Sequence, residues 1–232
     1  MIHGQHTNIN PSSKLSELIG SDAVMVRFIY RLGISFGFGD ATVASVCRRY
    51  GISEKLFIQL YKMHADSRYR PDASDMDTGD FIAVLDFLSR SHDNYMHKLF
   101  PPLHANVHEM MDRCSPETSA VVNRFFDEYV EEMDRHCRYE EEIQFPYLRA
   151  LSEGRRVDGV SVNEFRKQHS EVEEKLDDFR NIVMKYLPES CDGNSRFYAL
   201  LELCDITEDL RCHMLLEEYV LFPLAERLEK GI

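Results

Sequence analysis

One pattern occurs twice in this 232-residue sequence, and it limits the possible folds more than any other feature. His136-Cys-Arg-Tyr-Glu140-Glu141-Glu-Ile-Gln-Phe145-Pro146 and His213-Met-Leu-Leu-Glu217-Glu218-Tyr-Val-Leu-Phe222-Pro223 both read H-x-x-x-E-E-x-x-x-F-P. A further histidine precedes each copy by 44 residues, His92 before the first and His169 before the second. The spacing describes one helical hairpin and its copy, paired about a pseudo-twofold axis. Positions i and i+4 of a helix differ by only about 40° around the axis, one turn apart. His136 with Glu140, and His213 with Glu217, therefore present a nitrogen and a carboxylate to the same space. Glu141 and Glu218, five positions after the histidines, fall about 140° away and are expected to face solvent.

Helical signals surround these segments. Helix A is expected from about Gly79 to Leu99, halting at Pro101-Pro102 with a resumption to Asp112. Helix B starts after Cys114, with Ser115 as N-cap and Pro116 in the first turn, and runs to about Ser152. Helix C lies between Ser161 and Leu187, opened by the capping-box pair Ser161 and Glu164 and ended by Pro188. Helix D covers about Ser195 to Glu229. No run of alternating β-branched residues competes, so the expected fold is all-α, an up-down-up-down four-helix bundle over 79–232. Residues 1–66 read as a small domain of short helices around the glycine-rich turn Gly33–Asp40, and the polar stretch 67–78 with Pro71 reads as a linker.

The donor set then defines the chemistry. Each hairpin contributes two imidazoles and one carboxylate, so His92, His136, Glu140, His169, His213 and Glu217 make a single metal-ligand set. Six polar groups where a bundle needs an apolar core are costly unless a metal satisfies them. Two irons suit the set: two histidines to each, both glutamates bridging, and a bridging oxide or hydroxide leaving a position open to a small molecule. Nitrogen and oxygen donors without thiolate favour iron or manganese, and zinc is compatible on affinity. One H-x-x-x-E alone is more often a surface contact; its repetition at matching offsets is what carries the reading. Ferritin-like oxidases would need an acidic residue three before the histidine, whereas Ser89, Met133, Arg166 and Leu210 stand there. The remaining histidines His3, His6, His64, His97, His104 and His108 lack the paired pattern and read as surface or incidental, although His104 and His108 share a helix face.

A net charge of −13 disfavours nucleic acid and anionic membrane as partners. The apolar windows are too short for a membrane span, and the first residues carry no secretory pattern, which suggests a cytoplasmic protein. Six cysteines without a C-x-x-C pair are then expected to be reduced thiols, with Cys47, Cys137 and Cys212 packed in the interior. A homodimer is compatible with the sequence, and no residue by itself encodes enzymatic turnover.

The duplicated motif resembles that of the hemerythrin-like (HHE cation-binding) domain, over about residues 79–229. Its four-histidine, two-glutamate form, with Leu32-Gly33-Ile34-Ser35-Phe36 and Cys47 upstream, is similar to the iron-sulfur cluster repair di-iron (RIC) proteins. That family usually carries a Cys-Cys pair where this chain has Gly37-Phe38. The resemblance implies a non-haem di-iron centre, a role in repairing iron-sulfur clusters under oxidative or nitrosative stress, and damaged iron-sulfur proteins as clients. The alternative it allows is a module that binds or senses O2 or NO.

Overall fold

The computed structural model describes residues 9–20, 24–155, 161–168, 172–191 and 193–231, with the backbone alone for Lys167, Gln168 and Glu173. The all-α expectation holds. Among these residues the only β-type pairing is an isolated bridge between Lys14 and Thr42. The helices in chain order are α1 (Leu15–Gly20), α2 (Val24–Arg31), α3 (Val43–Tyr50), α4 (Glu54–Ala65), α5 (Thr78–Asn94), α6 (Phe100–Met111), α7 (Pro116–Tyr139), α8 (Phe145–Ser152), α9 (Val162–Gln168), α10 (Val172–Asn181), α11 (Asn194–Leu216) and α12 (Phe222–Gly231).

Side-chain caps set several starts. Thr42 Oγ1, Ser53 Oγ and Ser115 Oγ accept the backbone N–H of Ser45, Leu56 and Thr118 at the heads of α3, α4 and α7. Gly51 closes α3 in the left-handed region, φ 67°, and returns its N–H to the Cys47 carbonyl. Gly37 sits at φ 92°, a conformation that strains any residue with a Cβ. A cysteine at that position would work against this loop.

Three helix pairs are joined through a single wide turn. α5 passes into α6 through Tyr95–Leu99, α7 into α8 through Glu140–Gln144, and α11 into α12 through Glu217–Leu221, all π-helical. The cause is proline. Pro101, Pro146 and Pro223 lack an N–H, and in a regular helix each ring meets the carbonyl four residues earlier. Widening the turn relieves that contact, and the preceding phenylalanine closes it: Phe100, Phe145 and Phe222 donate to the carbonyls of Tyr95, Glu140 and Glu217. Pro101-Pro102 thus bend the register of helix A without halting it. Pro188 does end its helix, because Leu187 before it is extended, at φ −73° and ψ 139°.

The chain forms two compact units: Met1–Ser91 with Pro146–Arg166 and Cys212–Ile232, and His92–Phe145 with Lys167–Arg211. In the first, Phe28 on α2 packs against Phe57 on α4 at 5.3 Å between centroids and against Phe87 on α5 at 6.2 Å. Arg31 is fully buried, its guanidinium 5.0 Å above the Phe87 ring and within 3.4 Å of both Ser91 Oγ and His64 Nε2. His64, expected to be surface or incidental, is therefore a core residue, tilted against Phe28 and edge-on to Phe87. In the 67–78 stretch, Ala73 and Met76 are buried, and Arg227 donates to the carbonyls of Ala73, Ser74 and Met76 at 2.6–3.0 Å. Gln59 pairs both ways with the Asp72 backbone at 2.6 Å.

The second unit has its own core, in which Phe126 and Phe179 stack at 4.9 Å among Val107, Met110, Leu176 and Leu203. Cys114, in the α6–α7 turn, and Cys191, in the short turn Glu189–Cys191, form a disulfide with their Cα atoms 5.1 Å apart. The expectation that all six cysteines are reduced fails at this pair, because the fold brings together two turns 77 residues apart in sequence. Cys47, Cys137 and Cys212 are free and buried, and Cys204 is free and exposed. Burial and then the charge of Glu54 push the Cys47 thiol up to about 12, so it behaves as a core residue.

Candidate metal centre

Within the second unit, three of the six expected ligands converge. His92 occupies the last turn of α5, His136 the last turn of α7, and Glu140 opens the π-turn that follows α7. Glu140 is buried to 1% exposure and His92 to 4%. The two Glu140 oxygens divide between the histidines: Oε2 lies 3.2 Å from His92 Nε2, and Oε1 lies 3.5 Å from His136 Nε2. A buried carboxylate with an imidazole nitrogen at each oxygen is arranged to share cations between two nitrogen donors.

His92 is fixed from both sides. Its ring stacks on Phe145 at 5.5 Å with 10° between planes, which gives the phenylalanine of the F-P pair a positioning role. Its Nδ1 lies 2.8 Å from Glu141 Oε1. The expectation that Glu141 faces solvent is therefore corrected: its side chain is 37% exposed and engages the ring. In the π-turn each residue advances by less than the α-helical angle, so Glu141 comes round closer to the Glu140 face than uniform helix geometry allows. With Nδ1 donating to Glu141, a neutral His92 presents the lone pair of Nε2 toward Glu140, the carboxylate–histidine arrangement common behind metal ligands.

The charges explain the state of this ring. Burial is the largest single influence on His92 and acts to lower its pKa, but hydrogen bonds and charge from Glu140 and Glu141 together outweigh it, giving a rise from 6.5 to about 9. The cluster demands a cation, and without a metal a proton on His92 supplies one.

The second copy reproduces the local geometry in the first unit. His213, at 2% exposure, and Glu217, at 0%, lie on one face with Nε2 and Oε1 3.5 Å apart, and Glu217 opens the π-turn after α11. Glu218 follows a different course from Glu141, meeting Arg166 Nε at 3.3 Å near the surface. His169 lies outside the described residues. Cys137 and Cys212 are buried, and Cys212 Sγ donates to the Met63 carbonyl at 3.6 Å. The observed donors are thus imidazole and carboxylate without thiolate, which fits iron better than the softer ions that thiolates select. Among the described residues no helix is long and apolar enough to cross a membrane.

Residues 83–227 match the family model described as Hemerythrin HHE cation binding domain. Among curated proteins, the chain is similar to "Iron-sulfur cluster repair protein YtfE" of Salmonella paratyphi B, of Salmonella newport and of Salmonella dublin. Each is 26% identical over 192 residues, covering 81% of this chain and 84% of the relative.

Proposed function

This chain belongs to the hemerythrin HHE cation-binding domain family, and on that premise we propose that it is a non-haem di-iron protein serving the repair of iron-sulfur clusters damaged by oxidative or nitrosative stress. His92, His136, Glu140, His169, His213 and Glu217 are the proposed ligands. The observation that carries this reading is the division of the buried Glu140 carboxylate between His92 and His136, matched in the second motif by the buried His213–Glu217 pair. When bound, the two irons supply redox-active metal with room for a small gas such as NO or O2. The chain's own part is to hold the donors dry and aimed. Glu141 holds His92 Nδ1, Phe145 fixes the plane of that ring, and burial of Glu140 and Glu217 excludes competing water.

The repair assignment rests on the likeness to the Salmonella relatives, whose name states that role. Residues 1–66 carry none of the six ligands and are the part proposed to meet a damaged client, without the thiol pair of the repair family. Two measurements test the reading. Anaerobic iron loading of the full chain should give about two irons per chain; one zinc, or no retained metal, would refute the di-iron centre. The loaded protein should then restore activity to a hydratase whose cluster has been damaged by NO, and no restoration beyond free ferrous iron would refute the repair role while leaving the centre intact.

A further inference from the structure

The sequence places two more histidines at helical spacing, and the structure gives them a third partner. His104 and His108 stand at i and i+4 on α6, their rings stacked 4.1 Å apart at 29°. Asp127 on α7 faces both. Its Oδ1 lies 3.1 Å from His104 Nε2 and 3.3 Å from His108 Nε2. One donor atom from each residue lies within 4.8 Å of the other two. All three belong to the second unit and none is among the six proposed iron ligands.

We propose that His104, His108 and Asp127 form a second metal site, specific for a borderline divalent transition ion such as Zn2+. Zinc–nitrogen and zinc–oxygen bonds of about 2.0–2.2 Å set tetrahedral donor–donor edges of about 3.3–3.6 Å. The observed nitrogen–oxygen separations of 3.1 and 3.3 Å are within a few tenths of that edge, so rotation about the side-chain torsions suffices to seat an ion. Two imidazoles select against Mg2+ and Ca2+, which require all-oxygen shells, and the absence of thiolate selects against Cu+. The side chains are 38–47% exposed, which leaves the fourth position to water. Such a site is open and exchangeable, and it ties α6 to α7 across their short connection. A simple surface contact would also bring two histidines to one aspartate, but it would have no preference for zinc over magnesium.

Equilibrium dialysis against buffered Zn2+ distinguishes the two. The full-length wild-type chain should hold one more zinc per chain than the His104→Ala/His108→Ala variant, whatever either holds elsewhere, and the same difference should be absent with Mg2+. Asp127→Asn should weaken this zinc at least about tenfold, since losing a ligand costs no less than losing a group behind one. All three positions are partly exposed, and circular dichroism checks that the variants keep their helices; His108→Gln alone provides a milder substitution. Equal zinc content in wild type and the double variant, or equal uptake of Zn2+ and Mg2+, would overturn the site. Either result leaves the proposed iron centre untouched, because iron content is measured on the same samples.

Discussion

Stripping the metal should make the protein's stability depend on pH through His92, and the size of that dependence follows from the structure. Its folded pKa of about 9 lies above the ordinary 6.5 because the opposing carboxylates outweigh burial. A group raised on folding contributes stability that is full below the unfolded pKa and disappears as pH climbs through the folded one. The metal-free protein should therefore be most strengthened by this residue below about pH 6.5 and lose that contribution by about pH 9. A rise of this size corresponds to about 3–4 kcal/mol at most, at roughly 1.4 kcal/mol per unit. With a urea dependence of about 3 kcal/mol per molar, the unfolding midpoint should fall by about 1 M across that window. The comparison is with His92→Gln, which keeps a polar side chain of similar size without a titrating ring and isolates the histidine from every other ionisable group. Glu141→Gln should reduce the fall by removing one of the two carboxylates. Parallel pH profiles for wild type and His92→Gln would refute the claim that a proton stands in for the metal.

Four further outcomes can be checked. Glu140→Ala and Glu217→Ala should lose bound iron, Glu141→Gln should weaken it by about 10–100-fold, and Glu218→Gln should leave it near wild type by metal analysis, since Glu218 meets Arg166 instead of a histidine. Phe28→Ala should destabilise the chain by about 3–5 kcal/mol in chemical denaturation, because it empties the contact of α2 with Phe57 and Phe87. Reducing the Cys114–Cys191 bond, or Cys114→Ser with Cys191→Ser, should cost up to about 4 kcal/mol for releasing a 77-residue loop, and an unchanged melting temperature would contradict it. Iron uptake by the metal-free protein near neutral pH should release the His92 proton, seen in calorimetry as a heat that varies with the buffer's own ionisation enthalpy.

The sequence alone determined what lies along single helices. Repetition of H-x-x-x-E put His136 with Glu140 and His213 with Glu217 on common faces, because one helical turn is a local and rigid ruler. Ser115 with Pro116 likewise announced the head of α7. Relations between helices were a different matter. Glu141 reaches His92 across 49 residues, and the proline-driven π-turn, not the uniform helix the spacing suggests, gives it that direction. His64, which carries no paired pattern in the sequence, lies in a buried cluster with Arg31. Asp127 meets His104 and His108 because α6 and α7 pack as neighbours, and Cys114 meets Cys191 because two turns come together. Spacing within a helix is fixed by backbone hydrogen bonds and can be counted in sequence, whereas the partner across an interface is chosen by side-chain packing, which depends on the whole core at once.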